Sequence, residues 1–468
     1  MDTQECSLRW RRLAPGRTAA LVLMMLAGCA SFSPDGGLDE VAALTSARTG
    51  QVVQFSRPTQ DAGAARQQVR QLLGQPLSPE TAVRIALLNN PGLRAALAEL
   101  GIAEAELVQA GRLRNPGFSF SRMRGGDDLE LERGILFDLA GLLTLPLRRD
   151  LANRRFEQAR LQAAADAVRL AGATREAYFN AVAAHQSALY LEQVQAAAEA
   201  GAELARRMER IGNWSALDAA RERLFHAEAT AELAQARHAA SAARERLTRL
   251  LGLWGEDITY ALPERLPELP PAARRIADLE TRAIAQRLDV QIARRDLDAA
   301  ASALGLSQAN RFVNVFDAGY ANKNVSGQPR ENGYTLSLEV PLFDWGDARA
   351  TRAQAAYTGA VERLADTAIN ARSQVREAWS GYRTAYDQAR HLRDDVLPLR
   401  RRISDQVLLR YNGMLASVFE LLADAREQAR GVTATIDAQR DFWIADSALQ
   451  AAIDGGEFPS GRALAARQ

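Results

Sequence analysis

The feature that most constrains this chain is that it repeats itself. Ala86-Leu87-Leu88-Asn89-Asn90-Pro91-Gly92-Leu93 recurs as Ala283-Ile284-Ala285-Gln286-Arg287-Leu288-Asp289-Val290. Leu145-Pro146-Leu147 recurs as Val340-Pro341-Leu342, and Arg175-Glu176-Ala177-Tyr178 as Arg376-Glu377-Ala378-Trp379. The matches keep their order and fall at offsets between 195 and 201 residues. A period of that size is a duplicated domain, far beyond the unit of a solenoid, roughly 20–50 residues. The Pro-rich segment Pro263 to Pro271 lies between the copies, where a linker belongs.

Each copy is mostly helix. From Leu77 to about Asp454 the chain is dominated by Ala, Leu, Arg and Glu, the residues of best intrinsic helix propensity. Two short interruptions change the apolar period from 3.6 to 2, the mark of a strand with one apolar and one wet face. In the second copy Tyr334, Leu336, Leu338 and Val340 alternate with Thr335, Ser337 and Glu339. Its partner is Phe312 to Tyr320, and the polar stretch Ala321 to Asn332 reads as the loop between them. In the first copy Gly117 to Met123 and Leu129 to Leu139 flank the turn Arg124-Gly125-Gly126-Asp127-Asp128. Pro146 and Pro341 are expected where a strand hands over to a helix, a site that tolerates a missing N–H. Four strands cannot close a barrel alone, and an open edge is not viable in hydrocarbon, so a membrane reading requires oligomerisation; three copies would supply twelve strands. The other reading of the same strands is a soluble antiparallel sheet packed on helices.

After each strand pair comes the longest helical stretch, Arg149 to Ile211 and Asp347 to Tyr411, each ~90 Å long at ~1.5 Å per residue. Tyr178, Val182, His185 and Leu189 keep a 4-3-4 rhythm, as do Val375, Trp379, Tyr382 and Tyr386. These stripes are expected to pack helix on helix. Pro398 should kink the second stretch. Both stretches end in glycine-containing reversals, Gly212-Asn213-Trp214-Ser215-Ala216 and Gly413-Met414-Leu415-Ala416-Ser417.

The first residues read as a processing signal. Arg9, Arg11, Arg12 and Arg17 precede the apolar run Ala19 to Leu26, which is too short to span a membrane as a helix. It ends in Leu26-Ala27-Gly28-Cys29, which looks like the bacterial lipobox, with Cys29 as the lipidated residue and palmitate among its acyl chains; the alternative is an ordinary signal with an incidental cysteine. Cys6 would leave with the signal, so the mature chain would have no intramolecular disulfide. Ala30 after the cysteine resembles the outer-membrane sorting pattern of enterobacterial lipoproteins. The residues that follow, to about 75, are rich in Gly, Ser, Pro, Gln and Arg and read as an extended strap.

The duplicated plan, the paired tips and the run Ala423-Asp424-Ala425-Arg426 after the second tip together resemble the TolC-type outer membrane factors over about 380 residues. The resemblance implies a mainly α fold with a small β part. Long coiled-coil-like helices would form an α-barrel, and four strands per protomer would join a 12-stranded trimeric β-barrel. It implies the outer-membrane channel of a tripartite efflux pump, a passive duct exporting drugs or heavy-metal ions. Its partners would be two further copies, a periplasmic adaptor, an inner-membrane pump of the RND type, and outer-membrane lipid. Gly212, Asn213, Trp214, Ser215, Ala216, Gly413, Met414, Leu415, Ala416 and Ser417 would touch the adaptor. Asp218 matches an acidic residue of the family's closed gate; its other reading is a favourable charge at a helix start. Phe419 stands where a pore-facing aspartate is common, with Glu420 beside it. The chain then divides into a signal (1–28), a lipidated strap (29–75), the first repeat (76–255), a linker (256–275), the second repeat (276–455) and a tail (456–468). Alternatives are a non-pore structural or adaptor lipoprotein of the envelope, and the duct of a type I secretion system.

Little points to chemistry. The net charge is +1 and Lys323 is the one lysine, so no polycationic stripe marks a nucleic-acid partner. His185, His226, His238 and His391 are the only histidines, and no zinc-binding, phosphate-loop or nucleophile-elbow motif occurs. No cofactor, metal site or enzymatic activity is expected.

Overall fold

The structure, a computed structural model, describes residues 31–52, 62–309, 315–339 and 342–455. The expected signal, Cys29, Pro341 and the tail from 456 lie outside the described residues. Two compact units result, and neither is one repeat. Among the described residues, one gathers 31–36, 101–156 and 299–357; the other gathers 37–100, 157–298 and 358–455. Each unit therefore takes a part from both copies.

The first unit holds the sheet. Strands β1 (Gly117–Gly125), β2 (Asp128–Asp138), β3 (Phe316–Val325) and β4 (Glu331–Leu338) pair antiparallel in sequence order. The expected loop from Ala321 to Asn332 is mostly strand: Asn322 faces Arg133 and Asn332, and Lys323 faces Glu132 and Glu331, leaving only 326–330 as the turn. Pairing with neighbours overrides the weak strand propensity of Asn and Lys. Pro146 is also displaced from its expected place. Helix α5 (Leu139–Arg210) follows β2 without a loop, because the Asp138 carboxylate accepts the Gly141 N–H at 2.5 Å, so Pro146 sits inside the helix on an exposed position.

The second unit is helical. The residues before the first copy, expected as an extended strap, instead hold two helices, α1 (Leu38–Thr49) and α2 (Ala62–Leu73). In the first copy α3 (Pro79–Asn89) and α4 (Pro91–Ala110) precede the sheet, and α6 (Ala216–Leu251) returns after α5. In the second copy α7 (Leu279–Gln286) and α8 (Leu288–Ala309) precede it. Helices α9 (Asp347–His391), α10 (Leu397–Asn412) and α11 (Val418–Asp454) follow. The kink expected at Pro398 takes the form of a π turn, Leu392–Val396, which lets the Leu397 N–H reach the Leu392 carbonyl just before the proline. Two apolar clusters make the core. Leu77, Ile85, Tyr178, Val182, Leu247 and Leu251 fill one; Val375, Tyr382, Tyr386, Phe442 and Leu449 fill the other. The aromatic rhythm read from the sequence is thus core, with His185 half-buried beside it.

The duplication is visible in how each return helix ends. Helix α6 closes at Gly252 and α11 at Gly455, both left-handed. Gly252 lies so near the α3–α4 junction that a Cβ would sit 2.7 Å from the Asn89 carbonyl oxygen; Gly455 meets the backbone of Arg287 and Leu288 at the α7–α8 junction. The free carbonyls at those helix ends are capped differently. Asn89 and Asn90 donate to the Leu251, Gly252 and Leu250 carbonyls in the first copy. In the second, Arg287 donates to the Ala452 carbonyl at 3.0 Å. Arg287 is 1% exposed and also binds Asp289 and Gln374.

Candidate functional site

Two regions carry function-bearing geometry: the hairpin tips and the sheet. At the first tip the Gly212 N–H donates to the Glu209 carbonyl and the Asn213 N–H to the Met208 carbonyl, a paired closure of the helix end that needs a left-handed residue. Gly212, at φ +78°, supplies it. The second tip repeats the closure, with Met414 N–H to Tyr411 and Leu415 N–H to Arg410, but there Met414, at φ +59°, takes the left-handed position. Gly413 sits one residue too early, at φ −85°. A side chain in that conformation costs about 1–2 kcal/mol. Met414 is also 95% exposed, and Leu415 beside it is exposed as well.

Ser215 and Ser417 then start the return helices, each accepting an N–H three residues on, from Asp218 and Glu420. The Ser215 hydroxyl donates back to the Asp218 carboxylate at 2.6 Å, and Arg221 lies 3.6 Å from it. Asp218 is thus engaged in the helix start, and its structural counterpart in the second copy is Glu420. Phe419 is turned instead onto Trp214, with ring centroids 4.9 Å apart, so an aromatic pair ties one tip to the other. Asn213 and Ala216 are exposed at the first tip, and Ala416 is half-buried at the second.

Behind the tips lies a group that sequence reasoning missed. Glu222 of α6 is 2% exposed and accepts from Arg426 of α11 at 3.2 Å; the Arg426 guanidinium lies 4.3 Å from the centre of the Phe225 ring. Burial pushes the Glu222 carboxyl above its ordinary range, against the pull of Arg426. Its Oε2 points toward Gly201 of α5 and has no hydrogen-bond partner among the described residues. The available signal was position: Arg426 closes the run Ala423 to Arg426, and Glu222 stands four residues after Asp218.

The sheet separates its side chains by face. One face carries a row of Phe118, Ile135, Tyr320 and Tyr334, then Phe137, Ala318 and Leu336, then Phe316 and Leu338. Tyr334, Leu336 and Phe118 are exposed to 89%, 71% and 71%. The other face carries Ser121, Glu132, Lys323 and Glu331 in one row, and Ser119, Gly134, Ala321 and Gly333 in the next. Glu130 pairs there with Lys323. Met123, Leu136 and Val325 are the large apolar residues of this polar face. Strands β1 and β4 leave both sheet edges open. Among the described residues no helix is long and apolar enough to cross a membrane.

Comparison with known proteins agrees with this architecture. Residues 279–455 match the family model for outer membrane efflux proteins. No curated protein matches the chain. Among solved structures, the Campylobacter jejuni CmeC outer membrane channel aligns at TM-score 0.71 and 15% identity, covering 90% of this chain and 94% of that one. A membrane protein from Pseudomonas aeruginosa aligns at 0.69 and 19% identity, covering 87% and 98%. The outer membrane protein VceC from Vibrio cholerae aligns at 0.67 and 17% identity, covering 83% and 97%. Residues 279–455 are thus similar to the outer membrane efflux protein family, and the chain shares its fold with these membrane proteins.

Proposed function

We propose that this chain is the outer-membrane channel of a tripartite efflux system: a homotrimeric, lipid-anchored passive duct that passes small toxic compounds, drugs or metal ions, from periplasm to exterior. The observation that carries the reading is the two-faced sheet with two open edges. Its apolar face suits lipid and its polar face suits a water-filled lumen, while the open edges require neighbours before such a sheet can enter hydrocarbon. Three copies joined edge to edge supply them. Cys29 is the proposed anchor. Nothing in this function asks for bond chemistry: a duct works by pore electrostatics and by a gate with two states.

The tips are the proposed contact for a periplasmic adaptor, itself joined to an inner-membrane pump of the RND type. The strained, exposed Met414 supports this, because such strain is otherwise easily removed by glycine. Asp218, Phe419 and Glu420 are the proposed gate residues, with Phe419 acting through Trp214. Met414→Gly is expected to raise the melting stability of the tip by about 1 kcal/mol while weakening site-specific cross-linking to the adaptor. Unchanged cross-linking in both Met414→Gly and Leu415→Ala would remove the tip from the contact.

The reading as a whole is tested by extracting the protein from outer membranes, sizing it and recording conductance in planar bilayers. A trimer that conducts is expected. A monomer without conductance sinks the duct and favours a structural lipoprotein of the envelope.

A further inference from the structure

The apolar face of the sheet does not run unbroken to the hairpin turns. Above the row of Phe118, Tyr320 and Tyr334, the next row places Arg133 between Phe120 and Asn322; Arg122 and then Arg124 follow along β1 toward the turn. All three arginines are exposed, and none has an ion pair among the described residues. The strand acids, Asp128, Glu130, Glu132, Asp138, Asp317 and Glu331, all fall on the opposite face, whose one cation is Lys323. Charge is thus sorted by face: no carboxylate of the strands is on hand to neutralise these guanidinium groups.

From this sorting we infer that Arg122, Arg124 and Arg133 form a binding site for the phosphorylated headgroup of an outer-leaflet lipid. The inference rests on the duct reading, which puts this face in lipid and the turns outward. An arginine at the bilayer midplane of a barrel costs about 2–4 kcal/mol and almost nothing at the interface, so the arginine rows fix the headgroup level. Tyrosines immediately below them are the side chains that favour that boundary. A guanidinium pairs with phosphate oxygens through parallel N–H donors, and a phosphomonoester offers it more negative charge and more open oxygens than the phosphodiester of a zwitterionic phospholipid, whose own ammonium offsets the charge. Arg122 and Arg133 lie diagonally across the β1–β2 ladder, one row apart, so a headgroup with two phosphates can engage both.

The test uses the full-length trimer in phosphatidylcholine nanodiscs doped with diphosphoryl lipid A or with the same glycolipid stripped of its phosphates, and counts lipids retained by native mass spectrometry. Wild type is expected to prefer the phosphorylated form by roughly tenfold or more, and R122Q/R124Q/R133Q to lose that preference. D128N/E130Q/E132Q, on the other face, should keep it. R122K/R124K/R133K retains charge without bidentate pairing and should keep a reduced preference, which leaves the idea testable if the glutamine variant fails to assemble. Equal retention of the two glycolipids by wild type overturns the inference, as does undiminished preference in the glutamine variant. Displacement of the glycolipid by inorganic phosphate also overturns it, by assigning the site to a soluble anion. Failure of wild type to insert into phosphatidylcholine alone is a separate result: it removes the duct reading, and this site with it.

Discussion

Gly455→Ala is expected to cost more than about 3 kcal/mol and to leave little assembled protein. A left-handed alanine alone loses about 1–2 kcal/mol. The added Cβ would also fall on the backbone of Leu288 and within 2.9 Å of the Arg287 Cα and carbonyl carbon, groups that cannot swing aside as the end of a side chain can. Gly252→Ala meets the Asn89 carbonyl oxygen in the same way, so the two copies should respond alike. Their caps should not. Arg287→Met strands the Ala452 carbonyl and the Asp289 carboxylate; breaking a buried ion pair costs about 3–5 kcal/mol, and Asp289, being 36% exposed, keeps the loss near the lower figure. Asn90→Ala removes the hydrogen bond to the Leu250 carbonyl and the one its Oδ1 accepts from the Leu93 N–H at the start of α4, two neutral bonds together worth about 2 kcal/mol. Thermal unfolding of the detergent-solubilised protein measures both comparisons. A Gly455→Ala protein that melts with wild type would mean that α11 does not end against the α7–α8 junction.

That pair of locks shows what the sequence could reveal and what it could not. Aligning the copies put Asn90 opposite Arg287, which is the substitution of cap for cap that the structure contains. Nothing in the alignment says that either side chain reaches a helix end some 160 residues away. The helices and the aromatic core were legible because their periodicity is local. Strand boundaries were less so: Asn322 and Lys323 have poor strand propensity, and only their partners on β2 and β4 keep them extended. At the tips, two glycines at similar places suggested the same reversal twice. Backbone hydrogen bonding instead aligns Gly212 with Met414 and Asp218 with Glu420, a shift of one residue that a motif cannot show. The buried Glu222–Arg426 pair was hidden for a related reason, since its members come from different copies and charged residues on long helices usually face solvent.

Leu336→Arg separates the two readings of the sheet by a wide margin. Leu336 occupies the middle of three apolar rows on β4 and is 71% exposed in the single protomer. On a soluble sheet, arginine at so exposed a position would change stability by no more than about 0.5 kcal/mol. Facing hydrocarbon, each arginine costs about 2–4 kcal/mol, and a trimer carries three of them, about 6–12 kcal/mol in all. Assembled, heat-resistant trimer in the outer membrane should therefore fall below detection. Thr335→Arg is the matching control. It puts the same charge one residue away, on the polar face in the row of Gly319 and Leu136, where a water-filled lumen solvates it. That variant should assemble, and in planar bilayers it should shift selectivity toward anions, because it adds a positive ring to a face whose strand charges are otherwise six acids and one lysine. If Leu336→Arg assembles as well as Thr335→Arg, the apolar face does not meet lipid and the barrel is wrong. If both fail, β4 is closed against another protein surface on its two sides, which a lumen-lined barrel does not allow.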